Sequence, residues 1–193
     1  MKASVDRFGK ALIAIGVLPL VYAAFVWVYA EAYQAYQRRA FEEAVTDVRA
    51  GEALAAAPGK SAVIGKLDIP SVNLSVMVLE GTEESELRLG AGHVPGTALP
   101  GETGNVGIAG HRDTFFRPLR KVETGDLITL TTLAGTFHYL VEATWITRPD
   151  DTAVLEGDSE SSLTLVTCYP FGYVGPAPDR FIVRAKRIID DHS

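Results

Sequence analysis

Three textures follow one another along the chain. Residues 11–30, ALIAIGVLPLVYAAFVWVYA, are twenty positions without a charge. A helix of that length spans ~30 Å, the thickness of a bilayer's hydrocarbon core. The pattern therefore predicts a transmembrane helix over residues 11–30, behind a short tail of residues 1–10. Residues 31–50, EAYQAYQRRAFEEAVTDVRA, mix good helix formers with charges and predict a continuation as a solvated helical stalk. Residues 51–60, Ala-rich with Pro58 and Gly59, predict a linker, so that 31–60 together form a spacer.

From residue 61 the period changes from helical to alternating, and residues 61–193 are predicted to form one outer domain. Residues 62–69 alternate loosely, and Val72, Leu74, Val76 and Val78 alternate with Asn73, Ser75 and Met77 beyond Pro70. Residues 82–87 predict a short helix capped by Thr82. Residues 90–104, rich in glycine, predict a loop, and 105–109 a short strand. Residues 114–119 read as a poor strand or a turn. Residues 127–133 predict a strand that turns at Ala134-Gly135 into the clearest one of the chain, with Phe137, Tyr139, Val141, Ala143 and Trp145 on one side. Residues 147–162 read as a polar loop with a short helix near Pro149, followed by strands at 163–167 and 180–189. Seven or eight short strands without a long helix between them predict an all-β domain, and closure into a barrel would remove its edges.

Charge refines this picture. Lys2, Arg7 and Lys10 stand before the apolar span against Asp6 alone, so the positive-inside tendency puts the N-terminus in the cytoplasm and the domain outside. A signal peptide cleaved after Ala30 or Ala32 is the rival reading; its apolar core is usually shorter, and here the span runs into Trp27, Tyr29 and Tyr33. The net charge is −6, and the part beyond the span is more acidic still, which argues against a nucleic-acid partner.

A single cysteine, Cys168, excludes an internal disulfide and a multi-cysteine zinc site. It stands where one predicted strand ends, and Arg180 stands where the next begins, so a hairpin would bring the two together. His111 ends the strand of residues 105–109 in a similar way. A thiolate nucleophile, an imidazole acid/base and a fixed guanidinium donor suit acyl transfer through a thioester. Each residue also has a plainer reading: a buried thiol, a strand-end histidine, an arginine paired with Asp179. His93 either lines the groove or makes a structural hydrogen bond, and Asp113 is a weak candidate to orient His111. A thiol hydrolase on the same site and a non-catalytic β-domain that binds a partner are the competing functions.

The segment Thr164-Leu165-Val166-Thr167-Cys168 resembles the TLxTC signature of sortases, and Gly110-His111-Arg112 and Asp179-Arg180-Phe181 fall where that family carries its histidine and arginine. The context GNVGIAGHRDTFFRPL and TCYPFGYVGPAPDRFIV is most similar to class D sortases. The resemblance covers roughly residues 63–189. It implies an eight-stranded β-barrel with short helices behind an N-terminal membrane anchor, on the outer face of a bacterial membrane. It implies a cysteine transpeptidase that cleaves an LPxTG-like C-terminal sorting signal after Thr and holds the product as a thioester on Cys168. An amine, from a peptidoglycan precursor or a pilin lysine, would then resolve the thioester. His111 would match the family's acid/base and Arg180 its oxyanion or substrate-positioning residue. Thr167 would help to bind the substrate or the oxyanion. The expectation is that no metal or cofactor is required, since no dense acidic cluster matches the calcium site of class A enzymes. The sequence shows no second span near Ser193, unlike pilin-polymerising types, and no long helix between residues 147 and 162, unlike class B.

Overall fold

The computed structural model describes residues 2–47, 62–157 and 160–188. The predicted linker of residues 51–60 lies outside them. Helix α1 (Lys2–Thr46) runs unbroken through the predicted span and the predicted stalk, with Pro19 inside it. Its apolar stretch includes the one helix segment, among the described residues, long and apolar enough to cross a membrane.

Eight strands follow: β1 (Val63–Ile69), β2 (Leu74–Glu80), β3 (Ala91–His93), β4 (Asn105–Ala109), β5 (Leu127–Thr132), β6 (Gly135–Thr147), β7 (Ser162–Tyr169) and β8 (Asp179–Ile188). They close into a barrel in the order β1-β2-β3-β4-β7-β8-β6-β5. Two neighbouring pairs are parallel, β2 with β3 and β4 with β7. Inward positions such as Leu67, Val76, Ile108, Leu130, Leu165 and Val183 are sealed from solvent and form one continuous core. The expected eight-stranded all-β barrel is what forms, and closure leaves it without a free strand edge to shield.

Three local expectations are corrected. The stretch read as a loop over residues 90–104 contains β3, three buried residues that the glycine content hides. A side chain at Gly92 would strike the Gly81 carbonyl oxygen at 2.1 Å, so this strand needs glycine to approach its neighbour. The short helix α2 (Glu84–Leu89) begins after Glu83 rather than Thr82, and no side chain caps it. In β6 the alternation holds for Tyr139 and Val141, both buried, but the register against β8 slips between Val141 and Ala143. Beyond that bulge Trp145 and Ile146 are exposed.

The stalk region is not simply solvated. Gln34, Phe41 and Ala44 of α1 are buried against the barrel. The Gln34 Oε1 accepts a hydrogen bond from the backbone N–H of Met77 at 2.9 Å, and its Nε2 donates to the carbonyl of Leu89. The side-chain amide thereby stands in for a peptide group at the corner where β3 has not yet begun to pair with β2. Replacing Gln34 with alanine leaves the buried Met77 N–H without its partner, a loss of ~1–3 kcal/mol. At about 2–4 °C per kcal/mol for a chain of this size, the Gln34→Ala protein is expected to melt several degrees lower in a thermal scan. An unchanged melting temperature would mean that the helix does not brace the barrel.

Candidate active site

The site is built where β4 and β7 end side by side. Their parallel register runs from Asn105↔Ser162 to Ala109↔Val166. The ladder continues one step further, with the Gly110 N–H donating to the Val166 carbonyl at 3.1 Å. The next residues on the two chains are His111 and, after Thr167, Cys168. On its other side β7 pairs antiparallel with β8, and Cys168 stands directly opposite Arg180. The hairpin juxtaposition anticipated from the sequence is therefore formed, with the histidine strand as its neighbour.

Cys168 is half-buried and unbonded to another sulfur. His111 is about a third exposed, and its Nε2 lies 3.6 Å from a carboxylate oxygen of Glu84 on α2. The other carboxylate oxygen of Glu84 accepts from Arg88 Nε at 3.0 Å, so the group is held from within its own helix. Asp113, the residue considered as a partner for His111, is instead engaged by Arg112, whose Nε and Nη2 meet its two oxygens at 3.2 and 3.0 Å. Glu84 was not legible as a neighbour of His111, because 27 residues of chain separate them.

Arg180 is half-buried and directs Nη1 to the carbonyls of Asp179 at 3.0 Å and Ala177 at 3.4 Å. The loop between β7 and β8 is packed by aromatic rings, with Phe171 and Phe181 edge to face at 5.3 Å between centroids. Thr167 is buried, and its hydroxyl donates to the Gly110 carbonyl at 2.7 Å, which binds the two strand ends together. His93 is buried as well. Its Nδ1 meets Glu80 at 2.9 Å, and its Nε2 meets the Ala98 carbonyl at 3.0 Å and the Thr97 hydroxyl at 3.1 Å. Both ring nitrogens are thus committed within the protein, the structural hydrogen bonding foreseen as one of its two readings.

A cavity of about 620 Å³ opens beside His111. Val26, Trp27 and Glu31 of α1 form one wall, and Glu84, His111 and Phe115 part of the other. Among the described residues no three His, Cys, Asp or Glu side chains are grouped to hold a metal ion.

A closed eight-stranded barrel with a half-buried thiol at the end of β7, an arginine at the start of β8 and a histidine just beyond β4 has the architecture of one class of cysteine transpeptidases. The sequence model of the Sortase domain matches residues 67–188, and the chain belongs to the sortase family. Within it, the chain is 41% identical over 125 residues to Sortase D of Bacillus subtilis, across 64% of this chain and 63% of that one. It is 35% identical over 113 residues to Sortase A of Listeria monocytogenes, across 56% of this chain and 50% of that one. The matches therefore span only about half to two thirds of these relatives' length. Among solved structures, a Clostridium perfringens sortase D5 transpeptidase superimposes with a TM-score of 0.68 at 32% identity, covering 82% of this chain and 97% of that one. Sortase A from Corynebacterium diphtheriae does so with a TM-score of 0.64 at 33% identity, over 70% and 65% of the two chains.

Proposed function

We propose that the protein is a membrane-anchored cysteine transpeptidase acting on proteins with an LPxTG-like sorting signal, with His111, Cys168 and Arg180 as its catalytic residues. The observation that carries this reading is the convergence of three strand ends: Cys168 opposite Arg180 in the β7–β8 ladder, and His111 one step past the β4–β7 ladder.

In this reading the Cys168 thiolate attacks the carbonyl carbon of the signal's Thr. The carbonyl oxygen becomes an oxyanion, which Arg180 stabilises by donating from its guanidinium. Collapse breaks the Thr–Gly C–N bond, and His111 as imidazolium gives its proton to the departing amine. The product is a thioester on Cys168. An acceptor amine then enters, His111 takes back a proton, and the thiolate leaves as the new amide forms. A peptidoglycan precursor and a pilin lysine are the two acceptor classes that fit. Thr167 and His93, with their polar atoms bonded inside the protein, serve the site as braces of its walls. Residues 11–30 anchor the protein in the membrane, residues 1–10 lie in the cytoplasm, and residues 61–193 act outside it.

The test is mass analysis of the products of an LPxTG-type peptide with and without added amine. An amide between the cleaved peptide and the amine, formed at the expense of the free acid, is the expected result. Only free acid, at every amine concentration, would replace transfer with hydrolysis by the same thiol. An inert peptide together with a Cys168 that resists thiol reagents at neutral pH would favour a binding domain.

A further inference from the structure

Arg112 is a charged residue that the reaction scheme above does not use, and it is 7% exposed. It follows His111 directly, in a turn that is tightly fixed. The carbonyl of His111 accepts from the backbone N–H of Phe116 at 3.1 Å, and the Phe116 ring is fully buried beneath the turn. From this turn Arg112 reaches 58 positions along the sequence and donates from Nη1 to the carbonyl of Pro170 at 2.7 Å. Its remaining edge is gripped by Asp113, which is 65% exposed. The paired hydrogen bond with Asp113 is the main reason that the guanidinium is held above its already high ordinary pKa; the charge of Asp113 and, more weakly, that of Cys168 act in the same direction, against partial loss of hydration.

A second strut joins the same two segments. Thr167 donates to the carbonyl of Gly110 at 2.7 Å. Gly110 and Arg112 flank His111, while Thr167 precedes Cys168 and Pro170 stands two residues after it. The histidine and the cysteine are therefore each bracketed, and two short ties cross between the brackets. The Thr167 tie and the backbone bond from Gly110 to Val166 both act before His111, so on its far side the Arg112 tie is the one that reaches across to the Cys168 segment.

We propose that Arg112 is a positioning residue of the active site, which ties the His111 turn to the chain just beyond Cys168 and so fixes imidazole against thiol. This rests on His111 and Cys168 being the reacting pair. The residue type follows from the geometry. One donor must point across to a carbonyl while two others are clamped by a carboxylate, and a planar fork of donors does both at once. A lysine ammonium reaches one of these partners in good geometry. The Asp113 carboxylate, at the surface, pairs with the guanidinium and sets its rotation.

The experiment compares Arg112→Met, Arg112→Lys and Asp113→Asn with wild type, on a Leu-Pro-x-Thr-Gly peptide that the wild type turns over. Active sites are titrated with a thiol reagent, and melting temperatures are measured alongside. A loss of placement by about 1 Å costs ~10²-fold in rate, so kcat per titrated thiol is expected to fall by about that factor in Arg112→Met with KM little changed. Arg112→Lys recovers part of the loss, and Asp113→Asn shows a smaller fall at an unchanged melting temperature. If Arg112→Met does not fold, the other two variants decide. Wild-type kcat per titrated thiol in Arg112→Lys and Asp113→Asn, whatever their melting temperatures, would overturn the positioning role and leave Arg112 a purely structural tie. The failure of the underlying reading is separate: it would appear as turnover that survives loss of Cys168.

Discussion

Replacing Cys168 with alanine is expected to abolish peptide cleavage and thioester formation together, while the barrel melts at nearly the wild-type temperature. The first half follows from chemistry. The chain has one cysteine, so no other thiol can take over, and water activated by His111 alone lacks the covalent step that divides the reaction in two. The second half follows from packing. Cys168 lies in a strand hydrogen-bonded to β8 on one side and ending beside β4 on the other. Its side chain is half-buried, and alanine removes one sulfur without a backbone change. The measurements are turnover of a sorting-signal peptide, the intact mass of the enzyme after brief mixing with it, and a thermal melt. Turnover that persists in the alanine variant would sink the proposed mechanism.

Arg180→Lys is expected to be far more damaging than its conserved charge suggests. Arg180 opens β8 directly opposite Cys168, so its backbone is fixed by the sheet. Among the described residues its hydrogen bonds, to the carbonyls of Asp179 and Ala177, both come from Nη1. This arrangement anchors one corner of the fork on the adjoining loop, and in the proposed mechanism Nε and Nη2 serve a substrate carbonyl and the developing oxyanion. An ammonium at the end of a flexible stem cannot hold an anchor and two further oxygens in one plane. Loss of one preorganised oxyanion donor costs ~10²–10³ in kcat, and that is the fall expected for lysine, close to that for Arg180→Ala. The check is kcat/KM for the three proteins on one peptide, together with the pH dependence of Cys168 alkylation. Lysine close to wild type would show that the residue acts through charge alone.

Most of the barrel was legible because its strands alternate. The period-2 signal located seven of the eight strands to within two or three residues. The exception is β3, whose Ala-Gly-His sequence is too short to display a period and too rich in glycine to resemble a strand; it exists because neighbouring strands on both sides supply its partners. The second half of β6 misleads in the opposite way. Ala143 and Trp145 continue the sequence alternation, yet beyond the bulge residues 142–146 are exposed on both faces, and neither the bulge nor the missing cover is written in any residue of β6. The proposed triplet of His111, Cys168 and Arg180 drew notice because each member sits at or just beyond a strand end, where sequence marks the change from alternation to turn residues. Its supports did not. Glu84 and Arg112 read as ordinary charges in a helix and a loop, and their significance depends on a neighbour 27 or 58 residues away. Gln34 is likewise one polar residue among many in a helix, and nothing local marks it as the one that docks.

The Gln34 clasp bears on how the protein would search for its substrates. With residues 11–30 in the bilayer, Gln34 lies one helical turn, ~6 Å along the axis, beyond Ala30. In the proposed topology, a domain held that close by the Gln34 bonds to Met77 and Leu89 would not sweep a hemisphere like a ball on a string. It would slide in a plane, with the mouth beside His111 opening against Trp27 and Glu31. Encounter then becomes a lateral, two-dimensional process, and reach has to be supplied by the other party. Clients whose cleavage point emerges just above the lipid would be served, and those that carry it on a long stem would pass overhead.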